Sequence, residues 1–317
     1  MSVYTLLTLD SVQPFVAAYG LPVATTLEPI KGGIENSNYF LTLADGRKLV
    51  LTLFEELSGE RAAFLAPLLC HLNSVGLPVA APLTDRQGHR LTTLAGKPAQ
   101  LAPRLAGRHP DTPDMAQCRA MGAALARLHL GLRDYPLQRA NNHGPAWWSD
   151  VAARWLPRLA ADDAQLLTSV QSRYAHICAR YPDLPRGLIH GDLFRDNTLF
   201  CDDTVTALLD FSETSDDHWL LDIAITSNDF CRHWPNNRPD QTRRSAFLDG
   251  YDAKRPLTAA ERTALPDFLA VGAMRFWLSR LDVALRNAEE GRHGEHVLEK
   301  NPAEMRTLCV RLLAEAS

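Results

Sequence analysis

The sequence has no uncharged apolar run approaching the roughly 18 residues that cross a bilayer, so no membrane-spanning helix is expected. Its first twenty residues lack the basic segment and small-residue cleavage site of a secretory leader, and a cytoplasmic protein is expected. Cys70, Cys118, Cys178, Cys201, Cys231 and Cys309 include no Cys-x-x-Cys pair, which argues against a disulfide frame or a zinc site. There is no internal repeat and no low-complexity tract. Neither sign of charge dominates, with 33 Lys and Arg against 37 Asp and Glu. A pI near 6.3 gives no general attraction to nucleic acid or to an anionic membrane.

What is present is ordinary globular material: 317 residues, 46% hydrophobic and 22% charged, enough for one large domain or two lobes. The texture changes near residue 100. Upstream, apolar spacing predicts a helix over 3–19, ended by Gly20-Leu21-Pro22. A strand over 23–30 follows, then two apolar runs within 38–54 joined at Asp45-Gly46, a hairpin signal. A helix over 58–74 and strand-like pieces at 77–83, 90–94 and 98–104 complete a small α+β unit. Downstream the chain reads as mostly helical. Thr112 is expected to cap a helix with Pro113 at its first position, and Met115, Cys118, Met121, Leu125 and Leu128 mark its buried face. Further helices are expected at 147–160, 162–180, 217–231, 240–251, 258–287 and 302–315. Residues 187–211 break the pattern as an island of short strands and loops. The expected fold is α+β and bilobal, with a small β-rich N-terminal lobe and a larger helical one; clefts between such lobes commonly take ligands.

The island contains His190-Gly191-Asp192-Leu193-Phe194-Arg195-Asp196-Asn197, followed by Leu208-Leu209-Asp210-Phe211. Phosphoryl transfer needs a carboxylate to accept or orient the proton of the attacking hydroxyl. It also needs an amide oxygen and a second carboxylate to hold the Mg²⁺ that bridges nucleotide phosphates. The Asp192-to-Asn197 spacing matches the catalytic loop of protein kinases, and Asp210-Phe211 takes the place of their Asp-Phe-Gly. Asp192 is then the base, Asn197 and Asp210 the metal ligands, and His190 a brace for the loop. The plainer alternative is a turn built of Asp and Asn. Asp196 reads as a solvent or capping residue.

A second constellation, Lys31-Gly32-Gly33-Ile34-Glu35-Asn36-Ser37-Asn38, lies between two strands. Paired glycines permit close backbone approach to phosphates, and Asn36, Ser37 and Asn38 offer hydrogen-bond donors, although Gly-Gly with Asn is also plain hairpin chemistry. A P-loop or a dinucleotide fold would open a helix here; a strand follows instead. Residues 190–234 hold ten carboxylates against Arg195 and Arg232, a density that would repel bare polyphosphate and so implies a divalent cation. Asp202 and Asp203 fit a solvated face. His129, Trp147-Trp148 and Phe276-Trp277 read as packing residues.

These strings, together with Tyr39-Phe40, Leu125-Ala126-Arg127-Leu128-His129, Asp222-Ile223-Ala224, Asn228-Asp229 and Arg275-Phe276-Trp277-Leu278-Ser279-Arg280, resemble the homoserine kinases of the aminoglycoside-phosphotransferase-like superfamily. The resemblance implies a protein-kinase-like fold and ATP- and Mg²⁺-dependent phosphorylation of the L-homoserine hydroxyl, a step in threonine biosynthesis. It implies a nucleotide-covering lobe at 1–101 and a catalytic and substrate lobe at 102–317, with ATP under Gly32, Gly33, Asn36, Ser37 and Asn38 against a hinge near Gln100–Arg104. One departure stands out. Kinases place a Lys on the third strand, whereas the aligned residue here is Thr52. Lys31, Lys48 and Lys97 are candidates for the missing phosphate cation, with Glu60 as the helix carboxylate. Homoserine is a zwitterion, so Arg195 or Arg275 is expected at its carboxylate and Glu213 or Asp229 at its ammonium. The rivals are a kinase of an aminoglycoside, choline, hydroxylysine or another amino alcohol, and a nucleotide-binding pseudokinase scaffold.

Overall fold

The computed structural model describes residues 4–30, 36–55, 59–290 and 300–315, with the side chains of 59–63 excepted. The chain divides into two compact units, Met1–Gly107 and Arg108–Ser317.

The first unit opens with helix α1 (Leu9–Ala18), then strands β1 (Ala24–Pro29), β2 (Asn36–Leu43) and β3 (Lys48–Phe54), helix α2 (Gly59–Ser74), and strands β4 (Thr92–Leu94) and β5 (Lys97–Pro103). The strands form one antiparallel sheet in the order β1-β2-β3-β5-β4. Strand alternation sets its two faces. Tyr39, Leu41 and Leu43 of β2, Leu49, Leu51 and Leu53 of β3, and Ala99 and Leu101 of β5 pack with Val12, Phe15 and Val16 of α1 as the core.

Helix α1 starts six residues later than the apolar spacing suggests. Thr8 caps it in a reciprocal pair with Ser11. The residues ahead of that cap are held by the sheet instead: Tyr4 and Thr5 donate their backbone N–H to Ser37 Oγ at 2.8 and 3.0 Å. The strand expected at 77–83 is absent. Pro78 and Pro82 remove two donors from that run, and Leu83 N to Leu101 O (2.7 Å) is its bond to the sheet.

The second unit carries helices α3 (Met115–Leu132), α4 (Pro145–Trp155) and α5 (Ala161–Arg180), then strands β6 (Arg186–Ile189), β7 (Thr198–Cys201), β8 (Thr204–Leu208) and β9 (Ser215–His218). Helices α6 (Trp219–Phe230), α7 (Gln241–Asp252), α8 (Ala259–Glu289) and α9 (Pro302–Glu315) follow. Helix α3 begins at Met115, not at Pro113: Asp114 accepts from Gln117 N at 2.8 Å while Gln117 Oε1 accepts from Asp114 N. That reciprocal pair outcompetes Thr112 as the cap. Helices α3 and α7 approach so closely that a Cβ on Gly122 or Gly250 would lie 1.9 Å from a carbonyl oxygen of the facing helix. Helix α6 is buried along its whole length, and α8 lies against α5, α6 and α9. Among the described residues three antiparallel ribbons interrupt the helices: β6 with β9, β7 with β8, and a short one between α6 and α7 that pairs Arg232–His233 with Arg238–Pro239. Among the described residues no helix is long and apolar enough to cross a membrane.

Candidate active site

The loop between β6 and β7 and the second residue after β8 bring three polar side chains together. The Asn197 side-chain amide donates to Asp192 O at 2.7 Å and to Asp192 Oδ2 at 3.1 Å. Its nitrogen thus faces the carboxylate, which turns Oδ1, the atom that can ligate a cation, the other way. Leu209 N donates to Asn197 O at 2.9 Å and ties the end of β8 to this loop. The next residue, Asp210, adopts a left-handed backbone (φ 55°) and accepts from Ser212 N at 3.2 Å, with its carboxylate exposed. A non-glycine residue in that region costs conformational energy and is held by its surroundings.

His190 links these pieces. It is fully buried, and its Nε2–H donates to Leu209 O at 2.9 Å, so Nδ1 is the acceptor facing Asp192 N at 3.3 Å. Burial holds its pKa below the ordinary histidine range and keeps the ring neutral. Burial likewise pushes the Asp192 carboxyl up to about 8; Arg275 opposes the shift, and the nearby charge of Asp210 adds to it.

Asp222 anchors the loop from beneath, a role its place in the motif list gave no hint of. Its Oδ2 accepts from His190 N at 2.8 Å and its Oδ1 from Gly191 N at 2.9 Å. The same carboxylate accepts from His129 Nε2 at 3.1 Å, and His129 Nδ1 meets the Tyr251 hydroxyl at 2.7 Å. Burial favours protonation of Asp222, but these donors and the partial charge of His129 outweigh it and hold its pKa below the carboxylate norm. Gly191 has φ 78° and lies so close to Glu213 that a Cβ would fall 2.9 Å from the Glu213 carbonyl oxygen; both facts require glycine.

The four residues suggested for the acceptor separate into two groups. Arg195 donates its backbone N and Nε to Asp229 Oδ2 at 2.8 and 3.1 Å, and Arg232 takes Asp229 Oδ1 at 3.0 Å. The Arg195 guanidinium also lies 4.0 Å over the Trp234 ring. That pair is occupied in tying the loop to α6. Arg275 and Glu213 instead pair with each other at 3.0 Å on the side of Gly191 and Asp192, and His143 Nδ1 reaches the same Glu213 oxygen at 2.5 Å. His143 has no signal in the sequence, since it precedes Glu213 by 70 residues in an unremarked loop. Asp196 is exposed and pairs with Lys300 at 3.4 Å.

In the first unit, alternation places Asn36, Asn38 and Thr52 on the sheet face opposite α1, with Gln100 registered beside Thr52. Thr52 Oγ1 donates to Asn38 Oδ1 at 2.8 Å. Ser37 falls on the other face. It is 0% exposed, receives two backbone donors from Tyr4 and Thr5, and donates to Glu55, so its hydroxyl is not placed to meet a nucleotide beside Asn36 and Asn38. Lys97 shares that face, paired with Glu55 and Thr5 and away from Asn36, Asn38 and Thr52. Lys48 is exposed at the start of β3. Lys31, Gly32, Gly33 and the side chain of Glu60 lie outside the described residues.

A cation fits the donor set of Asn197 and Asp210: one amide oxygen and one exposed carboxylate are what Mg²⁺ takes from a protein when phosphates and water complete its shell.

Comparison with known proteins is consistent with this geometry. A model of a phosphotransferase enzyme family (APH) matches residues 26–257. The chain is 39% identical over 312 residues to a homoserine kinase of Polaromonas naphthalenivorans, covering 96% of this chain and 98% of the relative. It is 39% identical over 313 residues to a homoserine kinase of Neisseria meningitidis serogroup B, covering 98% and 100%. Among solved structures, a microcompartment-associated aminopropanol kinase superposes with a TM-score of 0.72 at 18% identity, covering 98% of each chain. An amicoumacin kinase in complex with AMP-PNP and Ca²⁺ superposes at 0.67 and 18%, covering 97% and 92%. At such identities the likeness is one of fold.

Proposed function

The chain belongs to the APH phosphotransferase enzyme family, and from that premise we propose that it is an ATP-dependent kinase that phosphorylates the side-chain hydroxyl of L-homoserine. The observation that carries the reading is the Asp192–Asn197–Asp210 constellation, supported by near-full-length similarity to relatives named homoserine kinases.

In this reading Asp192 accepts the proton of the acceptor hydroxyl as the oxygen attacks the γ-phosphorus. With its pKa raised to about 8, the ionised form that acts as a base gains ground as pH rises through that value. Asn197 orients that carboxylate through Nδ2, and its Oδ1 together with the Asp210 carboxylate would hold a Mg²⁺ ion. Mg²⁺, when bound, neutralises charge on the nucleotide phosphates. His190 and Asp222 hold the loop rather than react. On the first sheet, Asn36, Asn38 and Thr52 form the polar face assigned to the nucleotide, with Gly32 and Gly33, which precede them in sequence, assigned to its phosphates; Ser37 is withdrawn from that set. Arg275 and Glu213 are assigned to the charged end of the acceptor, and Arg195 and Asp229 are withdrawn. The two units would serve as nucleotide-covering and catalytic lobes, and the setting would be the cytoplasm, in keeping with six free thiols.

A coupled ADP-release assay tests the reading. L-homoserine should support turnover at least about tenfold above choline, hydroxylysine, 3-amino-1-propanol or an aminoglycoside in kcat/KM. Preference for one of those acceptors would move the chain elsewhere in the family, and ATP binding without turnover on any of them would make it a scaffold.

A further inference from the structure

The geometry points to His143 as a positioning residue for acceptor choice, one that fixes Glu213 where it can take the ammonium of an α-amino acid. This rests on the kinase reading above.

Three elements distant in sequence meet at one carboxylate. Glu213 lies in the turn after Asp210, Arg275 comes from the middle of α8, and His143 comes from the loop that enters α4. Arg275 Nη2 and His143 Nδ1 both donate to Glu213 Oε2, at 3.0 and 2.5 Å. Arg275 and Glu213 are largely buried, at 7% and 17% side-chain exposure, while His143 is 33% exposed.

His143 is itself held from behind. Its backbone N–H donates to Asn141 Oδ1 at 2.8 Å, and Asn141 Nδ2 donates to Asp217 Oδ2 at 2.6 Å. Its ring stands edge-on to Trp147, with centroids 4.8 Å apart. A packed and hydrogen-bonded donor of this kind is preorganised.

Transfer of a phosphoryl group to a bare alcohol does not need such a cluster. An alcohol that is also an α-amino acid does need it, because its carboxylate and ammonium must both be matched a few bonds from the reacting hydroxyl. Arg275 supplies a planar fork for the carboxylate, and Glu213 supplies the counter-charge for the ammonium. Glu213 abuts Gly191, the neighbour of the base. Arg275 holds the Glu213 carboxylate from α8, and His143 adds a donor to the same oxygen from a different element, so His143 acts through Glu213 and touches no reacting atom.

The test compares His143→Ala and His143→Asn with wild type in the ADP-release assay. L-homoserine and 4-hydroxybutanoate, which lacks only the ammonium, serve as acceptors, with thermal melts as a fold control. His143→Ala should raise the homoserine KM about tenfold or more, with ATP KM and kcat within about threefold. The kcat/KM for 4-hydroxybutanoate should stay within about threefold of wild type, so that discrimination between the two acceptors collapses. His143→Asn, whose Nδ2 stands near the position of the imidazole Nδ1, should restore the homoserine KM to within about threefold. An unchanged homoserine KM in His143→Ala overturns the inference. So does an equal loss on both acceptors in a folded His143→Ala, which would mark a merely structural role. Lack of homoserine turnover in wild type is a separate result: it overturns the kinase reading and this inference with it.

Discussion

Asn197 gives its side-chain amide to Asp192 twice, to the backbone oxygen at 2.7 Å and to the carboxylate at 3.1 Å. One side chain therefore fixes both where the Asp192 carboxylate stands and which way it points. With Leu209 N bonded to Asn197 O, the bond carries on to Asp210 at the end of the neighbouring strand. The proposed base and metal ligands are thus set by one short stretch of backbone.

Asp192→Asn should separate chemistry from stability. Removing the base should cut kcat by about 10³ or more with ATP affinity kept. The wild-type carboxyl is raised to about 8 in the folded chain from its ordinary 3.8, because burial disfavours its charge. Its cost to stability is therefore absent below pH 4, grows between pH 4 and 8, and is complete above that. In metal-free, nucleotide-free buffer the Asn variant should melt at least about 2 °C higher than wild type at pH 8.5, with the gap closing toward pH 5. A lower melting temperature at pH 8.5 would contradict the assignment of Asp192 as a buried, strained charge.

Asp222→Asn should unfold more readily. The carboxylate is fully buried and accepts from two backbone N–H groups and His129, so its loss should cost about 3 kcal/mol, or roughly 6 °C or more. Because its folded pKa is depressed, that stabilisation is present above its unfolded value near 4 and is lost as pH falls through the lower folded value. His129, kept neutral chiefly by burial, adds instability below its unfolded value near 6.5, in the same direction. Denaturant melts of wild type and variant across pH 3 to 7 should converge at the acid end.

Lys97→Met should behave as a stability variant. Burial acts to raise the Glu55 pKa, but bonds from Lys97, Ser37 and Thr5 outweigh it and keep the carboxylate charged. Removing Lys97 leaves that charge unpaired at 7% side-chain exposure, so the melting temperature should fall by several degrees. The KM for ATP should stay within about threefold. A thirtyfold rise in that KM with unchanged melting would return Lys97 to the phosphates.

Arg275→Met and Arg195→Met should diverge. The first removes the guanidinium beside Glu213 and should raise the homoserine KM about thirtyfold or more. The second breaks the tie to Asp229 and should lower the melting temperature, with that KM within about threefold. Reversed phenotypes would exchange their roles.

The proximity of Asp192, Asn197 and Asp210 is legible in the sequence because it is local: Asp192 and Asn197 are five residues apart, and Asp210 follows one ribbon later. Ser37 was misread although the information was there. A strand alternates faces, so Ser37 belongs with Tyr39, Leu41 and Leu43 on the packed side, and Asn36 and Asn38 with Thr52 on the other. Strand β9 takes in Asp217 and His218, which fall inside the helix expected over 217–231, because its pairing with β6, not its composition, makes it a strand. His143 and Asp222 act through partners 70 and about 30 residues away, contacts that no local pattern encodes.

The most direct test follows phosphorus itself. In ³¹P NMR of wild type with Mg-ATP and L-homoserine, a new phosphomonoester resonance should grow in step with ADP and vanish when Mg²⁺ is chelated. Asp192→Ala and Asp210→Ala should yield less than about one part in 10³ of it in the same time. Growth of that resonance at the wild-type rate in either variant, or conversion of ATP to inorganic phosphate alone by the wild type, would contradict the account.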